Sequence, residues 1–168
     1  MALRKMLGDI YSEECQALMQ LIETQNHVTL NQWAIHYAKT YYLPMSEEDW
    51  LVEGLQRCEQ YLEGQLSLKE IKPILKDLRI QSSKIKDPTK LACSRAIVTA
   101  LSTINTPSNA FGFLLYGAAF KAYSTLGLEA SKEAYDLLAA QELKFALSDL
   151  KKHCVTNEAH PVKIKWNC

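Results

Sequence analysis

The sequence predicts an all-α fold, a compact bundle of about seven helices around one buried central helix, with an extended C-terminal tail. Three observations carry this. Apolar residues recur at three- and four-residue spacing through nearly the whole chain. The breaks between these stretches are short and hold N-cap, proline or glycine signals. One stretch, Thr106 to Gly127 (TPSNAFGFLLYGAAFKAYSTLG), is apolar nearly all round, with Lys121 as its only formal charge. A helix without a polar face is a buried helix.

Each element has its own local reason. Residues 1–10 read as a short lead-in. Ser12 caps a first helix whose opening turn carries Glu13 and Glu14, where the helix dipole favours negative charge. Cys15, Leu18 and Ile22 are its apolar side, and it should end near Asn26. Thr29 and Gln32 match a capping box. The helix they open places Leu30, Trp33, Tyr37 and Tyr41 on one face and stops at Leu43, because Pro44 disfavours helical geometry before it. Ser46-Glu47-Glu48-Asp49 starts the next helix, with Leu51, Leu55, Cys58 and Leu62 inward and Gly64 as terminator. Ser67 and Glu70 form another capping box, followed by the stripe Ile71, Leu75 and Leu78. Pro73 within that stripe predicts a bend, or a start nearer Lys72.

Asp87-Pro88 is a cap followed by a proline suited to the first helical position, and Cys93, Ile97, Ala100 and Ile104 define the buried face behind it. Thr106 and Pro107 open the central helix and Gly127 closes it. The last helix runs from Glu129 to about His153 with two apolar lines, one through Leu143, Leu147 and Leu150, the other through Ala134, Leu138 and Phe145. The tail Pro161–Trp166 alternates apolar and basic residues with the period of a strand. It predicts an extended strap with Val162, Ile164 and Trp166 inward; pairing with the tail of a second copy, giving a homodimer instead of a monomer, is the alternative.

The 168 residues suit one domain, 1–168. Lys plus Arg and Asp plus Glu are both 19, so the net charge is zero. That argues against a nucleic-acid partner and against attraction to an anionic membrane surface. Residues 1–7 show no secretory signal. Polar residues at both ends confine the apolar centre of the 106–127 run to 110–120, short of the roughly 20 residues a membrane span needs. The expectation is a cytoplasmic protein. Its five cysteines (Cys15, Cys58, Cys93, Cys154 and Cys168) are odd in number and widely spaced, as expected for reduced thiols, three of them small buried hydrophobes.

No signature of a nucleotide loop, nucleophile elbow or zinc helix is present. The four histidines form no metal-ligand spacing, so neither metal nor cofactor is expected. His153-Cys154 are adjacent, and adjacent helical residues point apart. Arg95 and Glu142 each lie inside an apolar helical stretch. A buried charge needs a partner, so the two are expected to pair in the core, or to line a polar pocket there with Tyr116. Charge is uneven along the chain: the helix near residues 46–63 is acidic and the one near 67–90 basic. Two solvated faces that attract each other would explain this. The sharper reading is a surface patch of Glu47, Glu48, Asp49, Trp50 and Glu53 with Tyr41 and Tyr42, suited to a basic protein partner.

The stretches WAIHYAKTYYLP, EDWLVEGLQRC, LACSRAIVTAL and AFGFLLYGAAFKAYSTLGLEASKEAYDLLAAQELKFAL, with PVKIKWNC at the end, together resemble the helical Imm5-like immunity proteins of bacterial polymorphic-toxin systems. The resemblance covers most of the chain from about residue 30. It implies a small non-enzymatic protein that binds and neutralises a cognate toxin domain, and it carries no catalytic residues with it. The alternatives from the residues alone are a helical ligand-binding protein or enzyme with a core pocket, and a structural bundle acting as a homodimer.

Overall fold

The computed structural model describes residues 2–167. Seven α-helices follow one another: α1 (Glu13–Ile22), α2 (His27–Tyr41), α3 (Asp49–Leu62), α4 (Leu68–Ser83), α5 (Pro88–Leu101), α6 (Asn109–Leu126) and α7 (Lys132–His153). Short 3-10 turns occupy Leu43–Met45 and Ser102–Ile104. Among the described residues there is no strand, and the fold class is the predicted one.

Local chemistry sets most of the boundaries. The side chains of Ser12, Ser67, Asp87 and Ser131 each accept a backbone N–H in the first turn of α1, α4, α5 and α7. The Ser67 hydroxyl also donates to Glu70 Oε1 at 3.1 Å, a side-chain contact in place of the reciprocal backbone bond of a full capping box. Gly64 and Gly127 end α3 and α6 with φ of 79° and 75°, a conformation that costs glycine nothing. Pro73 sits inside α4, which runs unbroken from Leu68. Both Pro73 and Lys69, whose carbonyl loses its helical partner there, are exposed, so water can satisfy that carbonyl.

Three helix starts and the lead-in differ from expectation. α7 begins at Lys132 instead of Glu129, because Ser131 caps it by accepting the Ala134 N–H. α2 starts at His27, because Asn26 Oδ1 accepts the Thr29 N–H at 2.9 Å and is the true cap. The Thr29 hydroxyl is spent on a hydrogen bond to Glu158. α6 starts at Asn109 after a tight turn in which the Asn109 and Ala110 N–H groups bond Thr106 and Pro107 carbonyls at 3.1 and 3.0 Å. The lead-in is tied down: Leu7 is buried, its N–H donates to the Leu115 carbonyl, the Tyr123 hydroxyl donates to the Arg4 carbonyl, and Arg4 pairs with Asp136 at 2.8 Å.

α6 is the central post, packed chiefly between α5 and α7 and touching α1 and α2. Its Gly117 lets the ring of Tyr42 lie against the backbone; a Cβ there would sit 1.9 Å from the phenol oxygen. Trp33, Tyr37, Tyr42 and Phe113 form an edge-to-face aromatic centre beside it. α3 and α4 meet where Gly54 admits the side chain of Leu78. The acids around α3 do not pair with basic α4: Glu59 bonds Lys39 of α2 at 2.8 Å and Glu47 bonds Lys90 of α5 at 3.4 Å. No ion pair joins α3 to α4 among the described residues. The tail lies across its own chain, with the Val162 N–H on the Gln25 carbonyl at 2.8 Å and Trp166 edge-on to Phe111. Among the described residues no helix is long and apolar enough to cross a membrane.

Candidate functional site

The residues expected to form one acidic and aromatic patch occupy three places. Glu47, Asp49 and Glu53 are exposed around the start of α3, beside Met45 at 60% and Val52 at 39% exposure. Glu48 takes the Nε1–H of Trp50 at 2.8 Å, which fixes the indole half-buried at the same end of the helix. Trp50 and Glu53 then line a cleft of about 500 Å³ between α3 and α4, with Arg57 and Asp77 on its walls. Tyr41 is half-buried at the other side of α2, edge-on to Phe145 of α7 at 5.0 Å. Tyr42 is fully buried and is no part of any surface. It was expected outside because its neighbour Tyr41 closes the helical stripe; the chain turns at Tyr42 and drives its ring inward onto Gly117.

The expected core pair of Arg95 and Glu142 does not form. Glu142, 8% exposed, accepts the Tyr37 hydroxyl at 2.5 Å and the Tyr42 hydroxyl at 3.1 Å, both on Oε1. Two phenols hydrogen-bond one oxygen of this desolvated carboxylate, and among the described residues no guanidinium pairs with it. Arg95 is half-buried in a separate cleft of about 400 Å³ with Arg4, Lys5 and Lys86. Tyr116 lines neither cleft, so the three residues make no common pocket.

One turn pair further along α7, Asp149 is 9% exposed and accepts the Trp33 Nε1–H at 2.9 Å. The seam between α2 and α7 therefore carries two buried carboxylates, each held by aromatic donors from or just after α2. In the sequence Trp33 and Tyr37 read as residues of an apolar face, and Asp149 is not among the expected site residues. The signal was available: Glu142 and Asp149 lie seven residues apart, on one face of a helix that is otherwise apolar there.

The electrostatics follow from burial. Desolvation raises the Glu142 carboxyl above its ordinary range, against the pull of both phenol bonds and of the Lys121 charge. Burial, then the Glu142 charge, pushes the Tyr37 and Tyr42 phenols up, so both stay protonated as donors. Burial pushes the Cys58 and Cys93 thiols up to about 12. Burial and Glu158 also raise the Cys154 thiol, the opposite of what a nucleophile beside His153 would need. Among the described residues no three His, Cys, Asp or Glu groups gather as metal ligands would.

Beside Glu142 opens a cleft of about 330 Å³ between α2, α6 and α7. Tyr41, Leu138 and Phe145 give it an apolar wall, Glu142 lines it, and Lys121 stands in it with Nζ 6.0 Å from the Tyr42 ring centre. Such an arrangement can hold and orient a group but contains no nucleophile and base in hydrogen-bond reach of each other.

No curated protein and no solved structure matches the chain. One family model does, that of the "Imm-5 like putative immunity protein", over residues 20–144. That span runs from within α1 to within α7 and takes in Glu142, the α3 acids and the central post, and it ends before Asp149. The chain belongs to the Imm-5-like immunity protein family.

Proposed function

We propose that this protein binds a cognate bacterial toxin domain in the cytoplasm and blocks it by direct contact, without catalysis. Family membership supports a toxin partner. The observation that carries the choice of surface is the start of α3, where Glu47, Asp49 and Glu53 are exposed beside Met45, Val52 and the clamped Trp50. Apolar anchors inside an acidic rim fit a basic protein surface. The acids raise the association rate and the apolar groups supply affinity.

The test uses the cognate toxin domain, to be sought among the genes next to this one. Co-expression with the full chain should restore growth, and calorimetry should give a complex that weakens as salt rises. The variant E47K/D49N/E53K should bind on the order of ten- to a hundred-fold more weakly, from three rim changes of roughly 0.5–1 kcal/mol each. Unchanged binding removes the α3 patch. Neither protection nor a complex with the unaltered chain removes the immunity reading.

A further inference from the structure

Glu142 is more deeply buried than a carboxylate can be without cost, and only one of its oxygens is used. Oε1 takes both phenol hydrogens; Oε2 has no hydrogen-bond partner among the described residues. The residue lines the 330 Å³ cleft and is 8% exposed. The wall of that cleft is aromatic and apolar. Phe145 is 47% exposed, and Leu137, on the same helix, 63%. Exposed apolar groups around a buried, half-satisfied charge are the make-up of an interface hot spot. Lys121 lies in the cleft but makes no ion pair with Glu142; its ammonium sits near the Tyr42 and Phe120 rings, at 6.0 and 5.9 Å from their centres.

We propose that this cleft is the socket for one arginine side chain of the partner protein, with its guanidinium donating to Glu142 Oε2 and stacking on the Tyr41–Phe145 wall. The proposal rests on the reading of the chain as a protein-binding immunity protein. Arginine fits better than lysine because its planar, weakly hydrated head both stacks on aromatic faces and donates two parallel N–H bonds. The phenols already fix the carboxylate, so the acceptor is preorganised and little freedom is lost on docking. Lys121 gives the socket a testable sign. Its charge opposes an incoming cation, so removing that charge should tighten binding. An anionic or zwitterionic ligand would behave in the opposite way.

The experiment titrates the isotopically labelled full chain with N-acetyl-arginine amide and follows the backbone signals of Lys121, Gln141 and Phe145 by NMR at low salt. N-acetyl-norleucine amide is the uncharged control. Saturable shifts with the arginine probe alone are expected. They should weaken ten-fold or more in Glu142→Gln, whose amide oxygen can still accept both phenols while its NH2 turns a donor into the cleft. Phe145→Ala, at an exposed position, should weaken binding without unfolding the protein. Lys121→Met should tighten it two- to five-fold. Equal shifts with both probes, no shifts, or weaker binding in Lys121→Met overturn the socket. With the toxin domain, a complex that forms as well with Glu142→Gln and Phe145→Ala as with the unaltered chain overturns the socket and leaves the immunity reading standing. If the unaltered chain forms no complex, the immunity reading falls and the arginine titration alone decides the socket.

Discussion

Replacing Gly117 by alanine, beside the same change at Gly112 on the same helix, separates packing from propensity. Intrinsic helix propensity favours alanine at both sites by about 0.5–1 kcal/mol. At Gly112 the new Cβ would meet Thr99 Cγ2 at 3.8 Å and Asn109 Oδ1 at 3.9 Å, ordinary contacts. At Gly117 it would lie 1.9 Å from Tyr42 Oη and 2.3 Å from Cζ. The Tyr42 ring is fully buried and hemmed in by Tyr37, Phe113 and Phe120. It must shift by an ångström or so, and its hydrogen bond to Glu142 goes with it. Overpacking costs about 1–3 kcal/mol, and a lost bond to a charged group roughly 1.5–3 kcal/mol. After the propensity gain the net loss is about 2–5 kcal/mol. For a chain of this size that lowers Tm by roughly 4–20 °C, while Gly112→Ala should raise it by about 1–4 °C. Thermal unfolding followed by circular dichroism, with urea midpoints as a second measure, checks both. A Gly117→Ala protein that melts at or above the unaltered one, or two variants shifting in the same direction, would refute the reasoning.

Three further outcomes follow from the same geometry. Because burial raises the Glu142 carboxyl, the folded chain holds that proton more firmly than the unfolded chain does. Its contribution to stability is therefore fully present below the unfolded value of about 4.3 and is lost as pH rises through the folded value. The stability of the unaltered protein relative to Glu142→Gln should fall as pH rises above that unfolded value in urea titrations, and a rise would contradict the assignment. With iodoacetamide at pH 8, half-buried Cys154 should label before Cys58 and Cys93, whose thiols lie near 12; peptide mass mapping that finds either buried thiol reacting as fast counts against the packing. Trp166 Nε1 is buried without an acceptor among the described residues. Trp166→Phe should then change stability by less than about 1 kcal/mol, because losing an unsatisfied donor offsets the lost area. Trp166→Ala, which abandons the contact with Phe111, should cost roughly 2 kcal/mol; equal losses in the two variants would show that the indole N–H matters.

What could be read from the sequence was what neighbours in the chain decide. Ser12, Ser67, Asp87, Gly64 and Gly127 act through backbone groups within a few residues, so their roles survive in the folded chain unchanged. The errors came where a distant residue outbid a local one. Thr29 has the pattern of a cap, but Glu158, far along the chain, takes its hydroxyl and leaves the capping to Asn26. Arg95 and Glu142 were matched by charge alone, although tyrosine is as able to satisfy a buried carboxylate and two happened to be in reach. Tyr41 and Tyr42 look interchangeable in sequence; one ends in a cleft and the other in the core, because adjacent residues at a helix end point about 100° apart. The acids at the start of α3 were legible as a group since nothing distant claims Asp49 or Glu53.

The central helix is also less remote from the surface than its apolarity suggests. Gly117 matters because it lacks a side chain: the space it leaves lets Tyr42 lie against α6, and Tyr42 there can reach Glu142 on α7. Tyr37 reaches the same oxygen from α2, so the end of α2 and α7 meet at one carboxylate atom, with α6 backing the Tyr42 ring. Both phenols hold Oε1 of Glu142, which leaves Oε2 as the oxygen open to a partner. A methyl group on the buried post would therefore act on binding as well as on stability. If the cleft takes a partner's arginine, Gly117→Ala should weaken the arginine probe even under conditions where the protein remains fully folded, whereas Gly112→Ala should leave it unchanged. Affinity that is indifferent to Gly117→Ala in a folded protein would cut the link between post and cleft.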